Sequence, residues 1–369
     1  MKYTDEYRDP GVAQRLIAHI RELASGRSEP VAIMEFCGGH THAILRYGIR
    51  QALAPRVRLL SGPGCPVCVT DTQDIDYAIA LASLPGVTVA TFGDMLRVPG
   101  SRLSLQEARA EGADVRMVYS ALDALELARK DPSRAVVMLG IGFETTAPTV
   151  AASLLQAREQ NITNYYVLSL HKLTPPAMRG ILDAGEVRLD AVLGPGHVTA
   201  IIGWQAWSFL AEEYGIPCVV SGFEPLDILQ AVRQIVQIVV EGQPRVENAY
   251  PRGVTAEGNQ VAQRLMYQVF TIGEAAWRGL GVLPASGLVL RPEFAAHDAR
   301  LAFEVPKELL EAEPSPLQKS CRCGEVLRGL IEPPECPLFR RVCTPARPVG
   351  PCMVSSEGAC AAYYRYGGA

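Results

Sequence analysis

Residues 59–69 read LLSGPGCPVCV, and residues 191–201 read AVLGPGHVTAI. Each is a short apolar run that stops at Gly-Pro-Gly and then presents a residue able to bind a metal or move a proton. An apolar β-rich run ending in a tight polar loop is the end of a buried parallel strand. The same rhythm recurs on either side, from about residue 31 to 230. Strands are predicted at Val31–Phe36, Val57–Leu60, Val87–Phe92, Val115–Tyr119, Ala135–Ile141, Tyr165–Leu170, Leu189–Leu193 and Pro217–Val220, with helical stretches between them. The loop landmarks keep a period: Cys37 to Cys65 is 28 residues and Cys65 to Phe92 is 27. Phe143 to His171 is 28, and His171 to His197 and His197 to Phe223 are 26 each. One strand plus one helix needs about this length, so the chain reads as consecutive βα units.

The fold class expected is therefore α/β, with two Rossmann-like parallel-sheet sub-domains and a small Cys-rich C-terminal domain. The local likeness of the two quoted stretches suggests halves related by duplication, over residues 1–130 and 131–242. Eight units could also close into a single barrel. The stretch EGQPRVENAYPRG after residue 240 reads as a linker, followed by a helix over Gln260–Arg278 and a mixed segment to residue 369. From Glu311 onward Pro, Cys and Gly dominate, too little apolar material for a core, so a metal is expected to organise that region.

Bulk properties narrow the function. The chain has 369 residues, 48% hydrophobic and 20% charged, and its net charge is 35 − 39 = −4. Without a block of Lys or Arg, nucleic acid and acidic membranes are poor partners. No apolar run reaches membrane-spanning length, and the opening MKYTDEYRDPGVAQ has no signal-peptide core. A cytoplasmic protein is expected, in which thiols stay reduced. Its ten cysteines are then poorly explained as a disulfide scaffold. Six of them crowd into residues 321–360, which points to metal or redox chemistry.

Three groups of motifs bear chemistry. In MEFCGGHTHAI (34–44), Cys37 closes a strand and two glycines turn the chain into a helix, whose N-terminus favours thiolate. His40 and His42 stand close enough to bond a ligand or move a proton. In GPGCPVC, the spacing of Cys65 and Cys68 lets both sulfurs face one point, as a redox pair or as metal ligands. With Cys37 they make three sulfurs, which suits a cargo metal better than a closed structural zinc. The remaining strand-end motifs bring Glu144 and Thr145 in GIGFETTAPT, His171 in SLHKLTPP, His197 in GPGHVTAI, and Glu224 and Asp227 in SGFEPLDIL. GIGFETTAPT lacks the Gly-Lys-Ser/Thr of a phosphate loop. Its polar residues serve equally well as a helix cap, and capping is the leading reading for Glu224 and Asp227.

The C-terminal array is Cys321, Cys323, Cys336, Cys343, Cys352 and Cys360. Its irregular gaps match neither zinc ribbons nor bacterial ferredoxins, but thiolate-only ligation in proline-rich loops suits an iron–sulfur cluster. Four ligands would leave two cysteines over for a redox pair. A single zinc is the simpler alternative.

Taken together, FCGGHTHAI, GPGCPVC, GFETTAPT, GPGHVTAIIG, SGFEPLDIL and CMVSSEGAC closely resemble the HypD family of hydrogenase maturation factors, in order, from about residue 31 to the end. The resemblance implies a scaffold for the active-site iron of [NiFe]-hydrogenases, on which Fe(CN)₂CO is built. It implies a HypC-type small chaperone and a HypE-type cyanide donor as partners, with a HypF-type carbamoyltransferase upstream. It also implies a [4Fe-4S] cluster in surroundings like those of ferredoxin:thioredoxin reductase. Cys37 would then be the leading iron ligand, with Cys65 and Cys68 as further ligands or as a dithiol exchanging electrons. Cys321, Cys336, Cys343 and Cys352 would hold the cluster, with Cys323 and Cys360 as its redox pair, and His40 or His42 would donate hydrogen bonds to cyanide. The alternative is a stand-alone, cluster-dependent thiol/disulfide oxidoreductase. Either way the chain is expected to work as a maturase with redox chemistry more than as a conventional turnover enzyme.

Overall fold

The computed structural model describes residues 5–311 and 313–367. All eight expected strands form: β1 (Val31–Glu35), β2 (Val57–Ser61), β3 (Val87–Thr91), β4 (Val115–Met117), β5 (Ala135–Gly140), β6 (Tyr165–Ser169), β7 (Ala191–Pro195) and β8 (Cys218–Ser221). They do not close into one barrel. A five-stranded sheet runs β2-β1-β7-β8-β9, and a four-stranded sheet runs β4-β3-β5-β6, both parallel throughout. The strand β9 (Val246–Asn248) lies inside the stretch expected to be a linker, where it pairs with β8 and extends the first sheet at its edge.

The sheets do not divide the chain at residue 130. After β2 the chain leaves the first sheet, builds the whole second sheet from β3 to β6, and returns at β7. Both Gly-Pro-Gly loops thus belong to one sheet, and their likeness reflects a shared position at strand ends more than two successive halves. Local pattern reports where strands end, but pairing between distant strands is decided by which faces bury together. Here the face of β1 carrying Val31 and Ile33 packs with Ala191, Leu193 and the long helix Pro225–Glu241.

A second departure follows at residue 270. The expected helix Gln260–Arg278 stops at Val269, and β10 (Phe270–Trp277) pairs with β11 (Gly281–Leu290) as an antiparallel hairpin. The hairpin buries Phe270 and Trp277 completely, and Trp277 donates its indole N–H to Ser286 Oγ at 2.9 Å. Two large aromatic side chains at opposite ends of one strand bury enough apolar area to override a helical preference.

Beyond the hairpin the chain has only short helices and turns until the helix Ala359–Tyr366. That last helix packs on the helix Gly38–Arg46, which follows β1. The Cys-rich segment is thereby laid against the carboxyl ends of the first sheet. Among the described residues no helix is long and apolar enough to cross a membrane.

Candidate metal and thiol centre

In the first sheet the strand order reverses between β1 and β7, so the crevice at their carboxyl ends is where an open parallel sheet receives ligands. Cys37 and His197 open the loops on its two sides. Cys37 is the residue before the helix Gly38–Arg46, and its carbonyl accepts from the N–H groups of His40 and Thr41 at 2.9 and 3.2 Å. The neighbouring Gly-Pro-Gly-Cys loop is bonded directly to it, Gly38 N–H to Gly64 O at 3.0 Å. A side chain at Gly64 would collide with the backbone of Phe36 and Cys37, so glycine is required there for close approach.

Cys65 caps the short helix Pro66–Val69 and accepts from the Cys68 N–H at 3.3 Å. The two cysteines are joined as a disulfide, with their Cα atoms 5.2 Å apart. In this state the pair is an oxidised dithiol, and Cys37 is the free thiol of the neighbouring loop. Cys68 Sγ also meets the carbonyl of Pro351 at 4.0 Å, which brings the Cys-rich segment onto the pair.

Two carboxyl groups that sequence reading passed over face Cys37. Glu35 ends β1 with its side chain turned inward, where it accepts from the Cys37 N–H at 2.8 Å and from the Thr41 hydroxyl. Its burial lifts it to about 7, against the lowering effect of those donors. Glu357 lies over Gly38, where a Cβ would strike it, and burial followed by the field of Asp94 raises it too. Burial, then Glu357 and Glu35, push the Cys37 thiol up to about 12. A metal cation arriving there would reverse that balance, releasing the proton and gaining a thiolate. The signal for Glu35 was available in sequence: an acid closing an otherwise apolar strand next to a cysteine.

The histidines are placed more tightly than expected. His40 Nε2 bonds the Gly222 carbonyl at 2.9 Å, so that nitrogen carries the proton. Burial lowers His40 to about 4, so the ring is neutral and its one N–H is already used. His40 therefore has no N–H for a cyanide nitrogen; its buried, unpartnered Nδ1 can only accept. His42 similarly spends its Nδ1–H on Ser356 O at 3.3 Å. His40 and His197 stack on Phe223, with ring centroids at 4.7 and 3.8 Å, which ties the loops after β1, β7 and β8 together. Glu224 and Asp227 serve structure: Glu224 pairs with Arg8, and Asp227 accepts from the Glu224 N–H and pairs with Arg252.

Glu144, Thr145 and His171 do not reach this crevice, because β5 and β6 lie in the second sheet. Glu144 is buried and accepts from the N–H and hydroxyl of Thr174 at 2.8 and 2.9 Å, while Thr145 is half-buried beside it. His171 Nδ1 lies 3.2 Å from Ser169 Oγ, which in turn donates to Leu288 O in β11 at 2.6 Å. Lys172 is likewise buried and donates to Ala276 O at 2.6 Å. His171, through Ser169, and Lys172 fasten the hairpin to the second sheet, while Glu144 holds the start of the helix that follows β6.

All six C-terminal cysteines line one cavity, together with Phe339, Gly350 and Met353. Cys321, Cys323, Cys352 and Cys360 are successive side-chain neighbours in that order, and Cys343 Sγ accepts from the Val349 N–H at 3.4 Å. Among the described residues, no three His, Cys, Asp or Glu side chains are gathered for a single ion. The two observations are compatible, because a multi-iron cluster spreads its sulfur ligands around its own bulk. An all-sulfur donor set with apolar remaining walls is the chemistry such a cluster requires.

Comparison with known proteins places the chain in a family. The family described as "HypD: Hydrogenase formation hypA family" matches residues 11–367. The chain is 48% identical to the hydrogenase maturation factor HypD of Cupriavidus necator over 375 residues, covering 100% of this chain and 97% of that protein. It is 49% identical to HypD of Azotobacter vinelandii over 374 residues, covering 100% and 97%. With HypD of Escherichia coli the identity is 46% over 371 residues, covering 99% and 98%. The chain belongs to the HypD family of hydrogenase maturation factors.

Proposed function

We propose that this HypD-family chain is the scaffold on which the iron of a [NiFe]-hydrogenase receives two cyanide ligands and one carbon monoxide before transfer. The observation that carries the reading is the meeting of three loops at one sheet edge. Gly38 N–H is bonded to Gly64 O, Glu357 lies over Gly38, and Cys68 touches Pro351. A thiol for the iron, a dithiol and a cysteine-lined cavity thus adjoin one another.

In this reading Cys37 binds the cargo iron as thiolate, a soft ligand suited to low-spin iron(II). Glu35 fixes the Cys37 backbone, and Glu357 presents a carboxyl group to the cation and to the departing thiol proton. His40 holds its ring against Phe223 and offers its unpartnered Nδ1 as an acceptor. Cys65 and Cys68 exchange two electrons and two protons between disulfide and dithiol. Cys321, Cys336, Cys343 and Cys352 would hold a [4Fe-4S] cluster, with Cys323 and Cys360 as the neighbouring redox pair. When bound, that cluster supplies one-electron transfer. The partners proposed are a HypC-type chaperone and a HypE-type cyanide donor, itself charged through a HypF-type enzyme, in the cytoplasm.

The Cys65–Cys68 disulfide favours a second reading, a stand-alone thiol/disulfide oxidoreductase. Iron analysis of chain purified anaerobically with its partners separates the two. The scaffold is expected to carry iron beyond its cluster, lost in Cys37→Ala with the cluster colour retained. An iron content unchanged by Cys37→Ala would favour the oxidoreductase.

A further inference from the structure

The turn joining β10 to β11 does more than close a hairpin. Arg278 stands at its start, and its backbone N–H donates to Val69 O at 2.9 Å, one residue past Cys68. Its Nε donates to Thr70 O at 2.9 Å and its Nη1 to Thr72 Oγ1 at 2.7 Å. Its two side-chain bonds fix the plane of the guanidinium, and the backbone bond anchors the residue to the same short segment. The third nitrogen, Nη2, is buried and has no hydrogen-bond partner. Next in the turn is Gly279, at φ +80°, where a Cβ would strike the backbone of Gly324. The hairpin tip is thus wedged between the Cys65–Cys68 helix and the segment carrying Cys321 and Cys323.

Arg278 and both of those cysteines share the wall of a cleft of about 240 Å³, with Lys319. None of the described residues lining the cleft is a carboxylate. Lys319 is answered on the surface by Glu313 at 2.6 Å. The hydrogen-bond partners of the Arg278 side chain are neutral, a carbonyl and a hydroxyl. Of the six C-terminal cysteines, Cys321 is the one that is not buried.

We infer that Arg278 is a positioning residue for the C-terminal sulfur site, holding a fixed positive charge beside Cys321 and Cys323 so that the more negative, reduced state of that site is favoured. The inference rests on the proposed electron-handling role of these cysteines. A partly buried charge is weakly screened by solvent, so its field on a neighbouring site is strong. Net charge and exposure are among the factors that set the potential of a sulfur-ligated cluster. Arginine suits the position because its planar fork is held by two acceptors while a third nitrogen remains free.

The test compares wild type, Arg278→Gln and Arg278→Lys, each purified anaerobically and checked for an unchanged thermal transition. If the chain carries an iron–sulfur chromophore, its midpoint potential is measured by mediated redox titration. Arg278→Gln is expected to shift the reduction equilibrium at least tenfold toward the oxidised state, about 59 mV for one electron. Arg278→Lys is expected to keep most of the wild-type value. If the wild-type chain carries no chromophore, the cluster proposal fails, yet Cys321 is then free to alkylate. The rate ratio of iodoacetate to iodoacetamide at Cys321 then reads the local field independently of thiolate content. That ratio should fall at least threefold in Arg278→Gln and hold in Arg278→Lys. A Gln variant indistinguishable from wild type in the applicable measurement, or a Lys variant that behaves like Gln, overturns the inference.

Discussion

The sulfur of Cys68 lies 4.0 Å from the carbonyl oxygen of Pro351, the residue immediately before Cys352. The disulfide of the first sheet therefore touches the loop that supplies a cysteine to the C-terminal cavity. Such proximity is what thiol exchange or electron transfer between the two sites needs. Alkylation of denatured protein without reductant should leave Cys65 and Cys68 unlabelled, and prior reduction should add both labels to the peptide that contains them. Peptide mass spectrometry reads the outcome, and labelling of both thiols in air-exposed, unreduced protein would contradict the pairing.

Gly64 is where the two sulfur loops come closest. A methyl group there meets the backbone of Phe36 and Cys37, which cannot move aside as a flexible side chain would. Gly64→Ala is expected to cost about 1–3 kcal/mol, the usual range for forced overpacking. Urea unfolding measures the loss. Iron retention should fall along with stability, because the displaced loop carries Cys37.

Glu144 gives a pH signature away from the sulfur sites. Burial raises its carboxyl from the ordinary 4.5 to about 7. Between those values the folded chain keeps a proton that the unfolded chain releases, so stability falls as pH rises through this window. The contribution is fully present below the unfolded value and lost above the folded one. Its upper size is about 3 kcal/mol, because each tenfold change in an ionisation equilibrium is worth about 1.4 kcal/mol. Glu144→Gln should flatten the decline between about pH 4.5 and pH 7, as measured by denaturant midpoints at each pH. An unchanged slope would mean that Glu144 ionises normally.

Cys336 lines the C-terminal cavity with the five other cysteines. If the proposed cluster organises this segment, Cys336→Ala is expected to bleach the iron–sulfur absorbance and to lower the stability of residues 321–360, because folding would then be coupled to metal. Visible spectra and limited proteolysis check both effects. Retention of colour and protease resistance would remove Cys336 from the ligand set.

Much of this architecture was legible in the chain, and the rest was hidden for physical reasons. The strands from β1 to β8 other than β4 announced themselves by apolar runs ending near Gly, Cys or His, because a strand covered on both faces needs such runs, whereas β4 is an edge strand with Arg116 and Met117 exposed. Which strands share a sheet was not legible, since pairing of β1 with β7 joins residues about 160 apart and depends on faces, not on local pattern. Cys37, Cys65 and His197 were found because their loops are unusual. Glu35 was missed although an acid closing an apolar strand beside Cys37 marked it, and Glu357 because it sits in a turn that only folding aims at Cys37. Glu144 and His171 share the strand-end pattern of His197, so sequence could not separate the buried structural groups of the second sheet from the crevice of the first. The β10 hairpin was hidden in a stretch whose opening half, Gln260–Val269, is truly helical.

The central claim is that Cys37 holds an iron bearing cyanide and carbon monoxide, and infrared spectroscopy tests it most directly. Chain purified anaerobically after co-expression with all maturation partners should show stretching bands of metal-bound cyanide and carbon monoxide. Those bands should vanish in Cys37→Ala while the iron–sulfur absorbance persists. Bands that survive Cys37→Ala would place the iron elsewhere, and their absence from the wild-type chain under these conditions would contradict the scaffold itself.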